Sequence, residues 1–465
     1  VTLLHLGVDL VSGAAFRLPA QGHKLVVGPT GSGKSSAILG MMAELRRVDR
    51  SARVVLVDGK GEMAESWTQD LAPVLAHTGA FDLLSIRPWS RIGVPLNLLS
   101  AEIGLPPDVH AAAATAAIEG LMGVLGPRAR PIFEACARAA IEAHGNLLTV
   151  LALLEGRDEV RRAVATRCSA GSAYFLDEVL PSEPQASISS AAGRLRAILA
   201  LDNVRAHLCA PGSLAPRDLL GADMTVVDAA TGPLGQESLA AGIGGWVTTL
   251  IANGVFARGT GPGLARVVIV LDEFQRMSSA FPAILRLLQQ GRAFAVTLIL
   301  ATQTTVGLPA DLLASMETNA SMIALMPQPA EVARLRPYLK TTGQRVDAQR
   351  PDRLLSDREE TVLLERELFL ARKPREGVYV DREGGGVLHA FRVRDYPFDL
   401  VRRRAAEVPQ EVRHGVERGR FGVPIRELVA QAMDPFQHHG TSDANAPAPS
   451  TTSTPRRGKI RLVTP

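Results

Sequence analysis

Eight consecutive residues constrain this chain more than anything else in it. Gly28-Pro29-Thr30-Gly31-Ser32-Gly33-Lys34-Ser35 comes directly after an apolar run, Lys24 to Val27, and directly before a helical pattern from Ser35 to Arg47. A strand, a turn of the form GxxxxGK[ST] and a helix in that order make a phosphate cradle. The glycines let backbone N–H groups turn inward around a β-phosphate, at a helix start whose dipole favours negative charge. Lys34 is expected to reach the β- and γ-oxygens, and the Ser35 hydroxyl to ligate Mg²⁺. Gly28 to Ser35, with Ser36 beside them in the first helical turn, are therefore the residues expected to bind ATP.

Binding nucleotide is not yet splitting it. Val267-Val268-Ile269-Val270-Leu271-Asp272-Glu273 reads as a buried parallel strand whose end carries two acids, placed where the carboxyl edge of a sheet meets the phosphates. Asp272 is expected to hold Mg²⁺ through water, and Glu273 to orient and deprotonate the attacking water. The next extended run, Ala295 to Leu300, ends in Ala301-Thr302-Gln303, which puts a neutral amide at the same edge to sense the γ-phosphate. Arg292 precedes Gln303 by eleven residues and is expected to complete a neighbouring subunit's site as a finger on transition-state charge.

At 465 residues the chain has room for two or three domains. Hydrophobic residues make up 46% and charged residues 21%, the balance of a soluble globular protein. No apolar run approaches the ~18 residues of a membrane span. Cys136, Cys168 and Cys209 are too few and too far apart for a disulfide framework or a zinc cluster, and they read as core fillers. Strands alternate with helices over residues 1–105, the order of an α/β parallel sheet. Residues 106–215 are Ala- and Leu-rich with helical periodicity and read as an all-helical insertion. Strands return over 216–397, and residues 398–465 read as a basic, largely disordered tail that includes an Ala/Pro/Ser/Thr linker, Thr441 to Pro455.

In this order the motifs resemble the FtsK/HerA group of motor ATPases, and within it the conjugative coupling proteins of type IV secretion, the TraG/TraD kind. His23-Lys24-Leu25-Val26-Val27 leads into the cradle, and Asp58-Gly59-Lys60-Gly61-Glu62 resembles the group's DPKGE. Pro95-Leu96-Asn97 resembles its NPL, Leu271-Asp272-Glu273-Phe274 matches its LDEF, and Gly291-Arg292-Ala293, Ala301-Thr302-Gln303 and Asn319 follow in sequence. The resemblance covers about residues 1 to 395. It implies a RecA-like P-loop domain interrupted by an all-α domain, a homo-hexamer with ATP split between subunits, and DNA as cargo. It also implies a relaxase or secretion-channel components as partners. Two departures stand out: Gly59 replaces the usual proline, and proline precedes Leu96 where the group has asparagine.

Charge bears on the cargo. Residues 401–465 hold eleven basic and six acidic side chains, so the excess of positive charge lies in the tail, including Arg402-Arg403-Arg404 and Arg456-Arg457-Gly458-Lys459. Lysine occurs at only six positions against 45 arginines, which draws attention to Lys34 and to Lys60. No basic and aromatic residues interleave, so sequence-independent contact with a phosphate backbone is expected. The few cysteines make a reducing cytoplasm the expected location, and any attachment at the inner face of the cell membrane would be made through partners or an upstream anchor. The alternatives are an FtsK/HerA-like chromosome or DNA-processing translocase, the same motor with a polypeptide cargo, and a nucleotide-gated scaffold that docks a relaxase or a secreted protein. A scaffold has no use for Glu273.

Overall fold

The structure is a computed structural model; it describes residues 3–79, 81–230, 237–339, 346–347, 350–354, 356–366, 372–381, 387–419, 421–433 and 436. The strands, in chain order, are β1 (Leu3–Asp9), β2 (Ala15–Pro19), β3 (His23–Val27), β4 (Arg53–Asp58), β5 (Leu83–Ile86), β6 (Ile92–Gly93), β7 (Met224–Asp228), β8 (Val267–Asp272) and β9 (Val296–Thr302). They continue with β10 (Ala320–Leu325), β11 (Val346–Asp347), β12 (Arg350–Leu354), β13 (Glu376–Asp381), β14 (Val387–Val393) and β15 (Val423–Pro424). Among the described residues eleven of these form one sheet in the order β2-β1-β14-β13-β10-β3-β9-β8-β4-β7-β5. From β10 to β5 every pairing is parallel, whereas β13, β14, β1 and β2 extend the sheet antiparallel. The cradle strand β3 is therefore central, and its carboxyl end opens between those of β9 and β10.

Alternating side chains of the central strands face opposite sides. Val26, Val54, Leu56, Val268 and Val270 pack on Ile38, Met41, Met42 and Leu45 of the helix Lys34–Val48. Leu25, Val27, Val55, Val57, Ile269 and Leu271 belong to the other core, with Trp246, Val247, Leu250 and Ile251 of the helix Glu237–Ala257. Strands buried on both faces explain their nearly unbroken Val/Ile/Leu composition.

The all-helical segment comprises the helices Pro107–Met122, Ala129–Glu142, Leu147–Leu154, Asp158–Ala165, Gln185–Leu199 and Asp202–Cys209, joined by shorter turns. Its interior, including Ile118, Phe133, Cys136 and Leu195, is continuous with the second core of the sheet. Contact is made through Glu237–Ala257, where the lack of a side chain on Gly242 matters: a Cβ there would lie 2.4 Å from Leu121 Cδ2. Among the described residues none of the three cysteines is in a disulfide, with Cys136 and Cys209 buried and Cys168 half-buried, as core filling requires.

The tail departs from expectation. The described residues 398–419 and 421–433 are ordered: they form the helices Phe398–Glu407, Gln410–Arg418 and Ile425–Gln431, with β15 paired to β6. Few apolar residues, Phe398, Val412, Val416 and Leu428 among them, carry the packing, so mean hydropathy hides it while the helical spacing does not. Arg402 reaches back to Asp70 (3.4 Å). Asn146 caps Leu147–Leu154 and donates to the carbonyls of Cys209 and Met433 (2.9 Å each), which ties the end of this segment to the all-helical region. The linker Thr441 to Pro455 and the cluster Arg456 to Lys459 lie outside the described residues.

Candidate nucleotide site

The cradle forms because two of its glycines adopt left-handed backbone, Gly31 at φ +79° and Gly33 at φ +99°, a region open to glycine at little cost. Lys34 opens the following helix and is buried. Its Nζ donates to the carbonyl of Gly28 (2.5 Å) and stands 3.9 Å from Glu273 Oε1. Burial pulls the Lys34 ammonium below its ordinary range, against the opposing pull of Glu273 and Asp272. Ser35 is half-buried one residue on, beside Ser36.

Asp272 ends β8, and Glu273 follows at φ +50°, a left-handed conformation unusual for a side-chain-bearing residue. That turn keeps the Glu273 carboxylate wholly buried at the carboxyl edge, where Gln303 Nε2 donates to Oε1 (3.1 Å) and Gln275 Nε2 to Oε2 (2.5 Å). Lys34, Glu273 and Gln303, far apart in sequence, thus meet in one cluster. Gln275 was not singled out from sequence; its only signal is that it follows Glu273 by two residues.

Asp58, Asp228 and Asp272 close three adjacent parallel strands in register. Asp58 is structural: its carboxylate accepts N–H of Lys60 (2.9 Å) and of Ala64 (2.8 Å), the latter in the first turn of the helix Glu62–Glu65. Burial raises its pKa above the carboxylate range. Asp272 is pushed up to about 7, first by burial and then by the charges of Asp58 and Glu273, with Lys34 and Lys60 opposing. Lys60, one of the rare lysines, therefore acts on the site electrostatically. Among the described residues the buried Asp272 Oδ1 atom has no hydrogen-bond partner, which suits a Mg²⁺ hydration shell, and Ser35 with Asp272 are the residues that would hold that ion. Gly59 has its own explanation here: its N–H donates to Asp272 O (3.1 Å), and a Cβ on it would lie 2.9 Å from that oxygen. A proline could not make this bond.

Arg292 lies elsewhere. It sits in the turn Gly291–Phe294 before β9, at the amino edge of the sheet, and donates to the carbonyl of Asn319 (2.9 Å). The length of β9, roughly 20 Å, separates it from Gln303, so it cannot serve the cradle of its own chain. Its neighbour His23 is buried at the start of β3, accepts Leu298 N–H on Nδ1 (3.0 Å), and is held down to about 4 by burial and then by the charges of Arg292 and Lys24. Because the unfolded histidine protonates near 6.5 and the folded one does not, stability should fall by up to about 3 kcal/mol as pH drops from 6.5 to 4. Denaturant titrations across that window should give a flatter pH slope in His23→Gln; His110 and His207, shifted the same way, retain part of it.

Fold and sequence together define a RecA-like P-loop fold, an α/β chain with a mostly parallel sheet and an all-α region. Residues 17–140 match the family model of the type IV secretion-system coupling protein DNA-binding domain, and the chain is coupling-protein-like in this segment and in fold. No curated protein sequence matches it significantly. Solved structures do: VirB4 of Thermoanaerobacter pseudethanolicus (13% identity, 86% of this chain and 98% of that chain, TM-score 0.55) and the bacterial conjugative coupling protein TrwB (14%, 84% and 88%, 0.55). TrwB in complex with ADP and Mg²⁺ superposes similarly (14%, 84% and 90%, TM-score 0.54). Among the described residues no helix is long and apolar enough to cross a membrane.

Proposed function

We propose that this protein is an ATP-hydrolysing motor that moves DNA in the manner of a conjugative coupling protein. The observation that carries this reading is the buried Glu273 carboxylate, held by the amides of Gln275 and Gln303 beside Lys34. A site that only bound nucleotide would gain nothing from burying a base there. The match of residues 17–140 to a DNA-binding domain supports DNA as the cargo, and the TrwB complex with ADP and Mg²⁺ supports the ligands.

The chemistry assigns one task to each residue. Backbone N–H groups of Gly31 to Ser35 bind the β-phosphate, and Lys34 leaves the Gly28 carbonyl to neutralise charge between the β- and γ-oxygens. Mg²⁺, when bound by Ser35 and Asp272, supplies electrostatic stabilisation of the transferring phosphoryl group. Glu273 accepts the proton of the attacking water. Gln303 is shared between Glu273 and the incoming γ-phosphate, so losing that phosphate changes its partners and moves the loop after β9. Arg292, on the opposite edge from its own cradle, acts in the site of the adjacent subunit of a ring, with six subunits by resemblance. Attachment at the inner face of the cell membrane, a relaxase and secretion-channel components as partners belong to the same reading.

Mixing two inactive variants tests the shared site. Glu273→Gln and Arg292→Ala should each lack DNA-stimulated ATPase activity, and the mixture should regain part of it, because some interfaces then pair an intact Glu273 with an intact Arg292. Wild-type hydrolysis indifferent to DNA would refute the motor. A mixture as inactive as its components would refute the trans role of Arg292.

A further inference from the structure

The inference concerns the nucleoside end of the site and rests on the nucleotide reading above. In the order β13-β10-β3-β9-β8, the acids that meet the γ-phosphate lie on the β8 side of the cradle. A nucleotide whose terminal phosphate faces Glu273 must extend its nucleoside the other way, past Gly33 towards β10 and β13.

The turn 372–375, which leads into β13, stands there. The backbone N–H of Arg375 donates to Ser32 O (2.8 Å), and a Cβ on Gly33 would lie 2.9 Å from Arg375 Cγ. The turn is anchored from behind: Val393 N–H donates to Arg375 O (2.8 Å), and buried Glu376 accepts Lys373 N–H (3.2 Å) and Arg392 Nη2 (2.6 Å). Arg375 itself has φ +69°, where glycine is the residue of least strain. The side chain present is a long cation, 48% exposed, ion-paired with Asp395, which is 70% exposed. A pair this exposed is weak, so the guanidinium can change partners at little cost.

We propose that Arg375 is a nucleotide-binding residue whose guanidinium leaves Asp395 and packs on the face of the purine ring of bound ATP or ADP. The guanidinium is planar and weakly hydrated, which suits it to an aromatic face.

The test is Arg375→Gly in the full chain, because glycine keeps the left-handed turn and the N–H bond to Ser32 while removing only the side chain. Dissociation constants for Mg·ADP and for Mg·tripolyphosphate are measured by calorimetry. The variant should bind ADP about tenfold more weakly and tripolyphosphate as the wild type does, and Arg375→Lys should recover little of the loss. Equal weakening for both ligands would mean that Arg375 acts through the shape of the cradle, and unchanged ADP binding would make it scaffold; either overturns the proposal, as does full rescue by lysine. Failure of the wild type to bind either ligand would instead bring down the nucleotide reading, leaving a result distinct from all of these.

Discussion

Glu273→Gln should lower the rate of ATP hydrolysis by on the order of 10²–10⁴-fold, the usual contribution of a positioned general base, and leave ATP affinity nearly unchanged. Glutamine has the same shape, but its amide cannot accept the water's proton. The local geometry predicts a second consequence. Gln275 and Gln303 both donate N–H to the Glu273 carboxylate, and the substituted amide offers one acceptor oxygen where two are used. One of the two amides then loses its partner, and Gln303, half-buried and next to a loop, is the freer to move. Single-turnover hydrolysis with equilibrium binding of labelled ATP separates the two effects. Hydrolysis within tenfold of wild type would show that Glu273 is not the base.

Lys34→Ala should abolish tight nucleotide binding, weakening ATP by about 100-fold or more. Removing one partner of a buried, hydrogen-bonded charge pair costs roughly 2–5 kcal/mol, and each 1.4 kcal/mol is about tenfold in affinity. Since the Nζ of Lys34 also stands 3.9 Å from the buried Glu273, the variant leaves that carboxylate with less compensating charge. Its unfolding midpoint should fall as well, and Lys34→Ala combined with Glu273→Gln should recover part of that stability without recovering binding. ATP affinity unchanged in Lys34→Ala would remove the cradle from the mechanism.

Much of the site was legible because its parts follow strands whose ends had to share one edge. Gly28 to Ser35, Asp272-Glu273 and Gln303 each come straight after an apolar run, and parallel strands bring such positions together whatever the loops between them do. Gln275 was missed because a helical turn after Glu273, and not a strand, carries it back to the carboxylate. Asp58 was visible, but its duty to the N–H groups of Lys60 and Ala64 was not, since a strand-end acid reads alike as ligand or as cap. Arg375 had no signal at all: it lies more than three hundred residues from Gly33 in the chain, and only the pairing of β13 with β10 brings it to the cradle. The helices of residues 398–433 were hidden by composition, because charged helices with a narrow apolar stripe average to the hydropathy of a tail.

The local pattern of the sequence alone determined the presence of a GxxxxGK[ST] turn, a strand ending in two acids, an α/β sheet and a helical interruption, because each depends on residues within a few positions of one another. Tertiary structure decided what depends on strand order. It set the Gly-rich turn between β9 and β10, sent Arg292 to the edge of the sheet away from that turn, joined the helical region to one face of the sheet, and laid Arg375 against Gly33. Backbone hydrogen bonding between strands is blind to their separation along the chain, so no periodicity within a window of residues could have shown which strand became whose neighbour.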